Sequence, residues 1–290
     1  MPKSSLYGGI ELGGTKTLVA VGRTDGVIVS RATLPTCAPD RLIPDILGFF
    51  EAANCELAGI GVGAFGPIVI DPAAANFGQL LETNKPGWSR FDLVGALVEG
   101  LGRPVSLLTD VGAAAIGEAH LGALRSARLG VYLTVGTGIG GALVVDGKVL
   151  PAMLHPEMGH ISLQRHPGDT LASTCRFHAN CAEGLAAGPA ILERFGQSLS
   201  HFVPGGPEHS LVADYLGQLC ANLVFTLSPH RIVIGGGVGK TPGLLPQIQS
   251  AMLRHLGGYA LSALDRPDFI CSPELGQDAG IVGALICAST

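Results

Sequence analysis

The chain of 290 residues has no tract of basic residues anywhere along it. Its 18 Lys and Arg are outnumbered by 23 Asp and Glu, for a formal charge of −5 and a pI near 6.0. That balance argues against a nucleic-acid partner. No apolar leader opens the sequence, because Met1-Pro-Lys-Ser-Ser lacks the h-region of a secretory signal. Gly, Pro or charge interrupts every apolar run before it reaches bilayer length, so no membrane partner is expected. Linkers and low-complexity tracts are absent too. The seven cysteines do not form a disulfide frame: Cys37, Cys55, Cys220, Cys271 and Cys287 are scattered, mostly inside apolar segments. These absences leave a cytoplasmic α/β protein as the expectation.

What is abundant is glycine, 43 residues, together with Ala, Val and Leu, which suits close-packed α/β layers. The length predicts two domains. Tyr7 to Leu12 reads as a strand, followed by Gly13-Gly14-Thr15-Lys16, a second strand over 18–21, an Asp25-Gly26 turn and a third strand from Val27. A helix over 40–56 with Asp40 as cap and a strand over 59–64 follow. The irregular segment 71–89 carries Asn84, Lys85 and the only tryptophan, Trp88. It faces a ligand or is a surface loop pinned by its Trp. Then come a helix over 91–101, a strand over 105–108 and a helix over 113–121. The opening pattern returns roughly 120 residues on: a strand over 131–135, the turn Gly136 to Gly141, a strand over 142–145, Asp146-Gly147 and a third strand. The repeat predicts a duplicated domain with a cleft between the halves. Helices over 183–195, 211–227 and 244–256, strands at 231–234 and 269–270, and a small-residue helix capped by Asp278 complete the chain.

Three glycine clusters therefore stand at strand ends: Gly13-Gly14-Thr15, Gly136 to Gly141, and Gly235-Gly236-Gly237. Each is a tight turn or a place where backbone N–H groups approach phosphate oxygens. Gly136-x-Gly138-x-x-Gly141 fits the dinucleotide fingerprint, but a strand follows it where that fold needs a helix. Ile234 to Thr241 falls short of a P-loop because Ile234 occupies its first glycine position. Two clusters in equivalent places of a repeat favour phosphate binding. Asp110 ends a buried strand and is either a helix cap or an acid aimed at a ligand beyond the sheet. With phosphate loops nearby, the reading is a general base.

The stretch His155 to Glu183 sets His160, Cys175, His178 and Cys181 as His-x14-Cys-x2-His-x2-Cys. Two residues between ligands let one knuckle offer both to a tetrahedral ion, and Zn²⁺ accepts mixed thiolate and imidazole sets. Four protein ligands leave no open position, so the metal is expected to be structural. The alternative is cysteines that simply pack in a loop. Glu157 and Glu183 flank the ligands, where a metal would fix them to grip hydroxyl groups.

Together these residues resemble the ROK family of sugar kinases over essentially the whole chain. Ile10-Glu-Leu-Gly-Gly-Thr-Lys looks like its first phosphate loop, Val135-Gly-Thr-Gly-Ile-Gly-Gly like its second, and Ile234-Gly-Gly-Gly like its adenosine-side turn. The His-Pro-Glu-Met-Gly-His and Cys-x2-His-x2-Cys-Ala-Glu-Gly pieces resemble the fructokinase branch, since other branches usually carry Cys-x-Cys-x4-Cys. The resemblance implies a duplicated actin-like (hexokinase, ribonuclease H-like) fold, with 1–118 plus 275–290 as the smaller domain and 119–274 as the larger, zinc-binding one. It implies ATP, with Mg²⁺, phosphorylating a hexose, fructose foremost, with glucose, mannose or an N-acetylhexosamine as alternatives. By position Asp110 matches the catalytic base, and Glu157, His160, Glu183, Lys85 and Asn84 the sugar site. Gly13, Gly14, Thr15, Lys16, Thr134, Gly136, Thr137, Gly138 and Gly235 to Gly237 match the nucleotide site, and a homodimer is implied. One departure is Asp110-Val111-Gly112, where that branch commonly reads Asp-Val-Asn. The family also holds sugar-sensing repressors, which place a DNA-binding segment ahead of the first loop, whereas here a handful of residues precede Ile10.

Overall fold

A computed structural model describes residues 5–152, 154–259 and 261–289. The elements run β1 (Leu6–Leu12), β2 (Lys16–Gly22), β3 (Ile28–Pro35), α1 (Pro39–Ala52), β4 (Leu57–Ala64), α2 (Leu93–Leu101), β5 (Val105–Thr109), α3 (Asp110–Leu121), β6 (Leu129–Val135), β7 (Ile139–Val145) and β8 (Lys148–Val149). Then come α4 (Ala182–Ala186), α5 (Gly188–Phe195), α6 (Pro207–Leu227), β9 (Arg231–Gly235), α7 (Gly236–Gly239), α8 (Leu244–His255), α9 (Leu261–Leu264), β10 (Ile270–Cys271) and α10 (Ala279–Cys287). They fall into two compact units: Met1–Arg125, Gly147–His155 and Gln277–Thr290 form one, Ser126–Asp146 and Pro156–Gly276 the other.

In the first unit the sheet order is β3-β2-β1-β4-β5: β2 is antiparallel to both of its neighbours, β1 and β3, and β4 and β5 run parallel to β1. The central strands β1 and β4 are nearly all apolar or glycine, as strands covered on both faces must be. The edge strand β3, Ile-Val-Ser-Arg-Ala-Thr-Leu-Pro, is largely exposed. Register aligns Leu12 with Ala64 and Ala64 with Thr109, so three strands end together. The terminal helix α10 packs tightly inside this unit. A Cβ on Gly283 would lie 1.7 Å from the Ala113 carbonyl oxygen, and one on Gly61 1.8 Å from that of Ala284. The small residues are what let α10 touch α3 and the sheet.

The second unit's own strands run β10-β9-β6-β7, with β9 parallel to β6 and Thr134 opposite Gly235. Helix α6 is long and apolar enough to cross a membrane, an exception to the expectation that no apolar run is. Its Val212, Leu216, Leu219, Leu223 and Val224 are buried in the unit's core beside Ile248 and Met252 of α8. The length serves packing.

Several local expectations need correction. Asp40 does not cap α1; Ala38 precedes the helix, Pro39 takes its first turn and Asp40 stands inside that turn, where its charge suits the helix dipole. Asp278 does stand at the N-cap of α10, but its side chain makes no capping bond and pairs with Arg31 at 3.2 Å instead. The helix expected over 183–195 is two helices broken at Ala187, which has extended backbone. Gly188 and Pro189 open the second one, and the Gly188 N–H, free of the helix pattern, donates to Gly136 O at 2.7 Å.

Candidate active site

In the first unit the common end of β1, β4 and β5 gathers the first glycine turn, Phe65 and Asp110. The turn is closed by Gly13 N–H donating to Lys16 O, and Phe65 N–H donates to Leu12 O at 2.9 Å. Buried Thr17 bonds Thr36, whose hydroxyl donates to Gly13 O at 2.8 Å, fixing the turn from below. Gly14, Thr15 and Lys16 are exposed at the tip. Asp110 is the first residue of α3 and not its cap: Thr109 Oγ1 accepts the Gly112 N–H at 2.9 Å. Thus the helix start is held without the amide that Gly112 lacks, and a Cβ there would crowd Thr109 Oγ1 at 3.0 Å. One Asp110 oxygen accepts the Val111 N–H at 2.8 Å.

Sequence reasoning missed Glu11. Its Oε2 is buried and has no hydrogen-bond partner among the described residues. Burial, and next the charge of Asp110, push its carboxyl up to about 7, against a smaller opposing effect of Lys16. The signal was there, a carboxylate inside the apolar run Ile10–Leu12.

Trp88 pins its loop, and Asn84 and Lys85 lie in the same pinned segment. It is buried between Phe65 and Phe91, each ring centroid 5.5 Å away, and its indole N–H donates to Cys37 O at 2.8 Å. The tryptophan is an anchor. Asn84 is exposed, whereas the Lys85 ammonium donates to Gly14 O at 2.7 Å and sits 4.9 Å over the Phe65 ring.

In the second unit, the other two glycine clusters line one cavity of about 650 Å³ with Gly136, Thr137, Gly188, Pro189, Gly237 and Thr241 on its wall. The volume lies in the range of small-molecule sites. Thr134 is half-buried on β6 beside it. Gly236 has φ +84°, and a Cβ on it would lie 2.3 Å from the Val135 carbonyl oxygen, so only glycine fits there. Glu183 Oε2 accepts the Ile139 N–H at 3.0 Å, and a Cβ on Gly138 would approach the same oxygen to 2.7 Å. A residue expected on the sugar side thus steadies a glycine turn.

The knuckle is assembled beside it. Ligand atoms of His160, Cys175, His178 and Cys181 all lie within 4.8 Å of one another, with Cys175 Sγ 3.8 Å from His160 Nδ1 and 3.7 Å from His178 Nδ1. A tetrahedron with Zn–S of about 2.3 Å and Zn–N of about 2.0 Å has edges of roughly 3.3–3.8 Å; the two Cys175 distances match it, and a donor set of two thiols and two imidazoles is compatible with Zn²⁺. Backbone N–H groups of Phe177 and Gly184 point at the two sulfurs, each at 3.4 Å. Burial first, then neighbouring Cys175, raises the Cys181 thiol above its ordinary range, which a bound cation would reverse. Leu163 N–H to Asn180 O and Ala182 N–H to Ile161 O zip the loop shut. The turn 157–160 presses on β7, where a Cβ on Gly159 would meet Ile139 O at 2.1 Å; Glu157 is exposed and His160 half-buried.

The ROK family profile matches residues 7–290. A fructokinase of Pediococcus pentosaceus is 36% identical over 284 residues, covering 98% of this chain and 97% of that protein. One of Zymomonas mobilis is 36% identical over 290 residues, covering 98% and 96%. A glucokinase of Thermotoga maritima is 27% identical over 328 residues, covering 98% and 97%. Among solved structures, the ROK hexokinase of Thermus thermophilus superposes with a TM-score of 0.80 at 30% identity, covering 98% of each chain. The two-unit architecture is the duplicated actin-like sugar-kinase fold.

Proposed function

Since this chain belongs to the ROK family, we propose that it is an ATP-dependent hexose kinase converting D-fructose to fructose 6-phosphate. The observation that carries the fructose reading is near-full-length similarity to fructokinases at 34–37% identity, against 27–29% for glucokinases. Asp110 accepts the proton of the sugar's 6-hydroxyl, a contribution of roughly 10²–10⁴-fold for a general base. That oxygen bonds to the γ-phosphorus, the bond to ADP breaks, and ADP leaves with the electron pair. Backbone N–H groups of Gly13, Gly14, Gly136 and Gly138 receive the phosphates, with Thr15, Lys16, Thr134 and Thr137 around them. The cavity beside Gly235, Gly236 and Gly237 takes the nucleoside. ATP arrives as its Mg²⁺ complex, which spreads the phosphate charge.

Glu157, Glu183, His160 and Asn84 hold the remaining hydroxyls. His160, Cys175, His178 and Cys181 hold a structural Zn²⁺ that fixes the loop between Glu157 and Glu183; it supplies rigidity and no reacting oxygen. The enzyme acts in the cytoplasm as a homodimer, which sedimentation will test. Proton removal and phosphate positioning are the chain's contributions to a transfer that is mostly positioning and charge stabilisation.

The test is ADP release with MgATP and a panel of hexoses, glucose being the next sugar in line. Turnover with fructose and loss of it in Asp110→Asn, with fructose binding kept, is the expected result. Wild-type-like turnover in that variant would remove Asp110 from the base role.

A further inference from the structure

We propose that Lys85 is a catalytic residue that contacts the transferring γ-phosphoryl group of ATP and not the hexose. The inference rests on the kinase reading above and names a new contact within it. Its first support is the platform. Trp88 is buried and bonded to Cys37 O, its N–H partner in the loop is Lys85 O at 3.2 Å, and Ser89 ties the loop's ends by bonding both the N–H and the carbonyl of Thr83. The backbone of Lys85 is therefore held, and its side chain reaches the tip of the first glycine turn. A Cβ on Gly14 would lie 3.2 Å from the ammonium, so the bare glycine leaves space for it.

The second support is charge. Lys85 is half-buried, touches the Phe65 face and spends one of its three donors on a neutral carbonyl. Among the described residues it forms no ion pair. A cation drawn partly out of water without a carboxylate lacks its counter-charge. A phosphoryl group arriving at the turn supplies that charge; a sugar hydroxyl does not. The alignment of Leu12, Ala64 and Thr109 puts the turn, Phe65 and Asp110 at one end of the sheet, where base and phosphate must meet. Lys85 keeps its proton throughout, while Asp110 takes the hydroxyl proton and the phosphoryl group changes oxygens.

The experiment compares Lys85→Met and Lys85→Arg in the full chain. It reads kcat, KM for fructose, and the affinities for ADP and a non-hydrolysable ATP analogue carrying the γ-phosphate. In Lys85→Met, kcat should fall roughly 10²–10³-fold, as for loss of a donor to transition-state charge. The fructose KM should stay within about threefold. The analogue's advantage over ADP should shrink, and Lys85→Arg should restore part of it. A raised fructose KM at unchanged kcat would overturn the proposal in favour of a sugar contact. Equal losses for ADP and analogue, with a lower melting temperature in both variants, would leave only a tether. If the wild-type protein phosphorylates no hexose, the kinase reading fails, and the analogue-against-ADP comparison still decides whether Lys85 meets a γ-phosphate.

Discussion

A carboxylate set between Ile10 and Leu12 must be buried wherever the strand is central, and Glu11 shows the consequence. An ordinary Glu titrates near 4.5, whereas burial and then Asp110 push this one up to about 7. Between those values the folded protein holds a proton that the unfolded chain has released. The sign follows: the contribution is fully present below 4.5 and is lost as pH rises through 7. Replacing Glu11 with Gln should leave stability unchanged at acid pH and raise it at pH 8 by on the order of 3 kcal/mol at most. Urea unfolding of both proteins across pH checks this, and parallel curves would refute it. Gly236 makes a steric counterpart. With φ +84° and a carbonyl oxygen 2.3 Å from where a Cβ would go, Gly236→Ala should cost about 1–3 kcal/mol. It should weaken ATP binding far more than fructose binding, as titration calorimetry with each ligand alone would read. Equal weakening of both would separate this turn from the nucleotide.

The loop that carries the knuckle is an element without regular structure, and a buried polar network holds it to the helices. Asp169, nearly inaccessible, pairs with Arg194 at 3.0 Å and accepts the Tyr215 hydroxyl. Burial alone would raise the Asp169 carboxyl, but those bonds outweigh it and hold it below its usual range, while burial pushes the Tyr215 hydroxyl up to about 12. Arg165 binds Asn180 Oδ1, Leu171 O and Ala179 O, bracketing the ligand segment. Asp169→Asn leaves a buried guanidinium without its charge partner, a loss of about 3–5 kcal/mol for such pairs. The expected readout is faster transfer of Zn²⁺ to a chromophoric chelator. Unchanged transfer would show that the ligands hold the metal without the network. The clustering of His160, Cys175, His178 and Cys181 was legible in sequence because x2 and x2 are set by covalent reach. The staple was not, because Asp169, Arg194 and Tyr215 come from three elements joined only by folding. Asp40 is not the cap, and Asp278 caps by position without a side-chain bond, for a related reason: an acid near a helix start serves equally as cap, dipole partner or ion-pair partner, and Pro39 and Arg31 decided between them.

At the scale of the chain, the duplicated strand–glycine turn–strand pattern was readable because hairpin and glycine signals are local. The strand order was not, since β4 enters beside β1 through pairing that no short stretch encodes. Function at this scale is a linkage between ligand and folding. A sugar that binds only the folded chain stabilises it according to its affinity, by about 2.7 kcal/mol at a hundredfold excess over Kd. For a protein of this size each kcal/mol moves the melting temperature by roughly 2–4 °C. D-Fructose is therefore expected to raise the unfolding temperature by several degrees at concentrations where glucose and mannose shift it less. If the proposed metal and sugar roles hold, chelator treatment or Cys175→Ser should diminish the fructose shift, because Glu157 and Glu183 would then lose the loop that spaces them. Differential scanning calorimetry with and without each sugar reads this without any turnover. A glucose shift equal to that of fructose would put the specificity elsewhere than in the fructokinase-type knuckle, and a fructose shift that survives metal removal intact would detach the knuckle from the sugar altogether.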